Sequence, residues 1–187
     1  MSRLVFPRAA ALIFLTALAG CGGRGPEPAR PAATTKPSAV ERHIVDRPPA
    51  VSQLLGVVFG DQLELVGINV PNQVKKGESF ELEQVWRCLR VPERDWRIAV
   101  HFRGPTPKAK LNRDQAPPVP TTQWQEGRYI HWKVQAAVPA KAPLGDYTIE
   151  IRPYVIVPKT KPPKFERLEV TSEGSGRLGK MKLVAAG

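Results

Sequence analysis

The sequence predicts an all-β domain, an antiparallel sandwich of about seven strands, and three observations carry that prediction. Apolar residues recur at period two. No stretch keeps the i, i+3, i+4, i+7 spacing of a long amphipathic helix. Turn-forming clusters punctuate the apolar runs. The first expected strand is 57–59 continuing through 62–70, followed by the Lys76-Gly77 turn. Next comes 79–89, where Phe80, Leu82, Trp86 and Cys88 share one face while Glu81, Glu83 and Arg87 take the other. That is the signature of a half-buried strand, and Gln84 is the polar intrusion on its inner face. Pro92-Glu93-Arg94-Asp95 then turns the chain into 97–103. A long loop over 104–122 leads to 128–138, and Ala142-Pro143-Leu144-Gly145 leads to 146–157. There Tyr147, Ile149 and Ile151 alternate with Thr148, Glu150 and Arg152. Runs at 165–171 and 180–184 complete the set. Strands of this length, spaced by turns, argue for the immunoglobulin type of sandwich, without the cysteine pair of antibody domains.

The N-terminus reads differently. Arg3 and Arg8 precede an apolar stretch, AAALIFLTAL, that ends in Leu18-Ala19-Gly20-Cys21. The apolar stretch is too short to span a hydrocarbon core of roughly 30 Å as a permanent helix. The segment resembles the signal and lipobox of bacterial lipoproteins. The resemblance implies a signal peptide over 1–20, cleavage between Gly20 and Cys21, and acylation of Cys21. Membrane attachment is then through lipid on Cys21. Gly22 stands where an aspartate would resemble an inner-membrane retention signal, which favours the outer membrane, facing periplasm or surface. Residues 21–53 are expected to form a Pro-, Ala- and Gly-rich linker, too poor in apolar surface to offset its ordering entropy. Extended as polyproline II, it would reach on the order of 90 Å. The domain proper is expected over 54–187.

Roughly 135 residues suffice for one core without disulfide staples. Cys88, the cysteine remaining beside Cys21, reads as a buried unpaired thiol, with an intermolecular bridge or reactive thiol as the alternative. The formal net charge of +11 lies mostly outside the middle of the chain, where 61–157 holds fourteen basic and eleven acidic residues. No basic stripe interleaves with aromatics, so nucleic acid is not an expected partner.

Several short motifs, in order, resemble an immunoglobulin-like module found at the C-terminus of protein-mannosyltransferase-like membrane glycosyltransferases. They are Phe59-Gly60-Asp61-Gln62-Leu63-Glu64-Leu65-Val66-Gly67, Val74-Lys75-Lys76-Gly77-Glu78, Val85-Trp86-Arg87-Cys88-Leu89, Ala99-Val100-His101-Phe102, Arg113-Asp114-Gln115-Ala116-Pro117, Thr121-Thr122-Gln123-Trp124-Gln125-Glu126-Gly127 and Pro143-Leu144-Gly145-Asp146-Tyr147. Together they cover about residues 57–157. The resemblance implies a fold and carries no reaction. The basic, Pro-containing Gly104-Pro105-Thr106-Pro107-Lys108 departs from that pattern.

Among residues able to do chemistry, His101 with Asp114 comes first. The pair is expected to pin the 104–122 loop to the sheet; base catalysis would need a nucleophile or metal to complete it. No serine elbow and no clustered cysteines or histidines appear, so no cofactor and no metal are expected. The carboxylates of Asp95 with Asp114, or Glu81 with Glu83, form no arguable hydrolytic pair. Trp86 reads as core, and Trp124 as an edge cap under the long loop. Trp96, Tyr129 and Trp132 leave two readings open: core or edge packing, or partly exposed rings that stack on sugars or a partner. The expected role is a lipid-anchored, non-enzymatic binding or accessory module of the bacterial envelope, for a protein or glycan. The alternatives are a hydrolase with an unrecognised site and a structural spacer.

Overall fold

A computed structural model describes residues 38–172 and 177–185. Gly20, Cys21 and the expected signal peptide lie outside the described residues. The domain begins earlier than Leu54. A short helix, α1 (Ala39–His43), leads into β1 (Ile44–Val45), and Ile44 is buried in the core. Ser38 and Glu41 form a reciprocal capping box: the Ser38 N–H donates to Glu41 Oε2 at 2.6 Å, and the Glu41 N–H donates to Ser38 Oγ at 3.2 Å. Two of the orphan donors at the helix start are thereby satisfied. The Ser38 N–H, with the Ser38 hydroxyl adding to it, holds the Glu41 carboxyl below its ordinary range.

Strands β2 (Gln53–Phe59) and β3 (Leu63–Asn69) form a hairpin. Gly60 and Asp61 both have positive φ, 54° and 51°, and the Gln62 N–H donates to Phe59 O at 3.0 Å. Two left-handed central residues make the mirror-image turn whose twist suits paired strands. That turn divides the expected 57–70 run. After Val70 and Pro71 the chain changes sheets into β4 (Gln73–Lys75). Then follow β5 (Ser79–Cys88), β6 (Arg97–Arg103), β7 (Lys110–Asn112), β8 (Tyr129–Ala137), β9 (Gly145–Val157), β10 (Lys164–Arg167) and β11 (Arg177–Val184).

One sheet runs β1-β8-β5-β3-β2 and the other β4-β11-β9-β6-β7. Their inner faces form a single hydrophobic core. Phe80 of the first sheet meets Phe102 of the second edge-on, ring centroids 5.5 Å apart. This is the expected immunoglobulin-type sandwich, and β4 beside β11 is its parallel pair. Tyr147, 1% exposed, donates its hydroxyl hydrogen to Pro143 O at 2.9 Å. That bond closes a tyrosine corner where the chain returns to the second sheet. The strand expected over 165–171 is split. β10 pairs with the end of β9, and the following residues cross to the edge of β2, where Val170 bridges Phe59.

Trp86, Trp124 and Trp132 form an inner cluster with centroids 6.2–6.3 Å apart. Trp86 Nε1 donates to Gln84 Oε1 at 3.3 Å, which gives the buried amide oxygen a partner, while Gln84 Nε2 has none among the described residues. Cys88 is unpaired among the described residues and fully buried. Burial, with the Glu126 charge adding to it, pushes its thiol up to about 11.

Candidate functional site

The outer faces of the two sheets differ in how their charges are used. On the first, charges neutralise one another. Lys133 sits 2.7 Å from Glu81, His131 3.3 Å from Glu83, and Arg87 3.8 Å from Glu64. Glu81 and Glu83 therefore serve this surface lattice. Asp95 is likewise engaged, accepting from the N–H and hydroxyl of Thr122 at 3.0 and 2.8 Å.

The second sheet carries an open trough of about 470 Å³ across β6, β7, β9 and β10. Its residues follow from strand alternation. Ile98, Val100 and Phe102 of β6 point into the core, so Arg97, Ala99, His101 and Arg103 point out. In β9, Glu150, Arg152 and Tyr154 take the outer face between buried Ile149, Ile151 and Pro153. Register aligns them: Ala99 lies opposite Arg152, His101 opposite both Glu150 and Asn112, and Tyr154 between Arg97 and Arg167. The small side chain of Ala99 leaves the depression open at its centre.

Four side chains cross this face as one chain of hydrogen bonds. His101 Nε2 lies 3.1 Å from Asp114 Oδ1, and His101 Nδ1 lies 3.2 Å from an Arg103 NH2. Arg103 Nε in turn donates to Glu150 Oε2 at 3.1 Å. A guanidinium only donates, so Nδ1 must accept and the ring proton is assigned to Nε2, facing Asp114. The one lone pair of this imidazole is thus already occupied. β7 pairs with β6, and the Gln115 backbone bonds to Ile98 in both directions, so Asp114 is delivered from the 104–122 loop by main-chain pairing.

At the other end, Phe165 is 56% exposed, its ring 5.8 Å from that of Tyr154. Tyr154, 7% exposed, accepts at Oη from Arg97 Nε at 3.2 Å, and its phenolic hydrogen has no acceptor among the described residues. Arg152 and Arg167 line the trough and form no ion pair among the described residues.

The three aromatics considered from sequence lie elsewhere. Trp96 is 4% exposed, with Arg94 stacked 4.7 Å over its ring, and Trp132 is 5% exposed inside the tryptophan cluster. Neither offers a free face, because both stand at inward positions of the sandwich. Tyr129 is half-buried on the first sheet's outer face, with Arg87 5.8 Å over its ring. The exposed ring of the trough, unremarked in the sequence, is Phe165, packed beside Tyr154, which lines the trough at only 7% exposure. The available signal was Phe165 within Lys164-Phe165-Glu166-Arg167, an aromatic set among charges where alternation gives it no apolar companion. Among the described residues no three His, Cys, Asp or Glu side chains are grouped to hold a metal.

No protein-family model and no curated protein matches the chain. Among solved structures, the C-terminal domain of Wzt is similar with a TM-score of 0.49 and 7% identity, over 74% of this chain and 84% of that one. A β-glucosidase from Listeria innocua in complex with glucose is similar with a TM-score of 0.35 and 14% identity, over 65% of this chain and 16% of that one.

Proposed function

We propose that the protein is a lipid-anchored component of the bacterial envelope whose sandwich is a non-catalytic binding module, with the trough on the second sheet as its glycan-binding face. The observation that carries this reading is the pairing, on one surface, of an exposed ring with polar groups already fixed in place. Phe165 over Tyr154 offers an apolar face on which a sugar can stack, the Arg97–Tyr154 bond fixes polar groups beside it, and the Asp114–His101–Arg103–Glu150 chain fixes them at the other end of the trough. Such a surface pays little ordering cost on binding. A non-catalytic role accords with the state of His101: its lone pair is held by Arg103, so it has no free position from which to take a proton. Anchoring through Cys21, and the outer-membrane address, rest on the N-terminal sequence.

The test has two parts. Detergent-solubilised full chain should co-sediment with polysaccharide from the cell envelope, and Phe165→Ala should abolish that binding without lowering the melting temperature. Retained binding in the variant would remove the trough from the account. Mass spectrometry of the N-terminal peptide should show acylated Cys21, and a Cys21→Ser chain that still partitions with membranes would defeat the anchoring.

A further inference from the structure

We infer that the ligand of this face is an acidic glycan, one bearing carboxylate groups along its chain. The inference deepens the proposed function and rests on the trough being the binding face. The charges lining the trough are three guanidiniums, Arg103, Arg152 and Arg167, against two carboxylates, Asp114 and Glu150, and Arg97 lies beside it opposite Tyr154. Glu150 is paired with Arg103 at 3.1 Å, while Asp114 accepts from the neutral His101 ring at 3.1 Å and keeps its charge, so the guanidiniums remain in excess. Arg97 is committed to a neutral phenol, which takes no charge from it. Arg152 and Arg167 have no carboxylate partner among the described residues. The face thus presents unneutralised guanidinium charge, whereas the first sheet's outer face pairs Lys133, His131 and Arg87 with carboxylates.

Position matters as much as sign. Tyr154 lies between Arg97 and Arg167 across the strands, and Arg152 is two residues along β9 on the same face. Arg152 and Arg167 therefore flank the Tyr154–Phe165 platform. Two forks beside a stacking surface suit a sugar whose ring lies on the aromatic while its carboxylate accepts paired hydrogen bonds from a guanidinium. The free Tyr154 hydroxyl supplies a third donor to the same group. A neutral sugar would leave both guanidiniums without a counter-charge in the covered site, and an isolated phosphate would make no use of the exposed ring.

The test compares oligomers of polygalacturonate and polymannuronate with their fully methyl-esterified forms, which keep the sugar rings and lose the charge. Binding to the full chain in detergent is measured by calorimetry at two salt concentrations. The acids are expected to bind at least tenfold tighter than the esters, with the advantage shrinking as salt rises. Arg152→Gln and Arg167→Gln should each reduce acid binding by about tenfold and leave ester binding unchanged. Phe165→Ala should weaken both forms. Equal affinity for acid and ester overturns the acidic assignment while leaving a glycan face intact. Failure of both forms to bind overturns the glycan reading itself. Inorganic phosphate competing as well as the oligomers, or the unlipidated Cys21→Ser chain floating with phosphatidylglycerol vesicles and ignoring the uronates, would assign the arginines to phosphate or to lipid and refute the proposal.

Discussion

Gly104→Ala tests how the loop that delivers Asp114 is held. Gly104 ends the hairpin arm after β6, and its N–H donates to Ala109 O at 2.7 Å. A Cβ placed there would lie 2.5 Å from Tyr147 Cζ and 2.6 Å from Ala109 Cβ. Tyr147 cannot yield, because it is 1% exposed and its hydroxyl is tied to Pro143 O. Ala109, 2% exposed, is pinned by the same hairpin. Overpacking of this kind costs about 2 kcal/mol. For a domain of this size that lowers the melting temperature by about 4–8 °C. Gly77→Ala is the control: its φ is +85° and no atom lies within 4 Å of the new Cβ, so only local backbone strain of about 1 kcal/mol is expected. Adding Ala109→Gly to Gly104→Ala should recover part of the loss by removing one of the two clashes. Thermal melts followed by circular dichroism read all three. If Gly104→Ala melts no lower than Gly77→Ala, the packing of this loop against Tyr147 is not as described.

Three further outcomes follow from the same geometry. Tyr147→Phe removes one corner hydrogen bond and should cost about 1 kcal/mol in denaturant titrations. Burial also raises the Tyr147 hydroxyl above its ordinary 10, so the unfolded chain ionises first and wild-type stability falls as pH rises past 10. The Phe variant should lose that part of the alkaline decline, and an unaltered decline would show that Tyr147 is not its source. Cys88, buried and pushed up to about 11, should resist a thiol reagent at pH 8 until the protein unfolds; rapid labelling of the native state would contradict its burial. His101→Ala should lower stability by about 0.5–1 kcal/mol, a modest loss because the pair is partly solvated. Imidazole nitrogen NMR should find Nδ1 without a proton, and a protonated Nδ1 would refute the Arg103 contact.

The strands that alternation alone reveals are those with alternating inner and outer residues over seven or more positions: β3, β5, β6, β8 and β9. Their inner and outer sets were legible because a period of two assigns every side chain once the core face is known. β4 and β7, three residues each, are too short to show a period, and they exist because β11 and β6 offer them edges. The Pro-rich composition of 21–53 argues for a linker throughout; docking of Ile44 into the core outweighs that composition from Ser38 onward. At the site, His101 and Asp114 were legible as types, and register brings them together through β7. Arg103, Glu150, Arg152 and Tyr154 sit on β6 and β9, far apart in sequence. Only the pairing of those strands makes them one surface. Trp96 and Trp132 show the converse, since ring size suggests a platform and position in the sandwich determines whether a face is free.

The central claim is that the outer face of the second sheet, around Tyr154 and Phe165, is where a glycan is bound. Amide shift mapping of the full chain titrated with polygalacturonate oligomers tests it most directly. Perturbations are expected only at the outward residues of β6, β9 and β10, strongest at Arg152, Tyr154, Phe165 and Arg167. Perturbations centred on Glu81, Glu83 and Lys133 of the first sheet, or none at saturating oligomer, would contradict it.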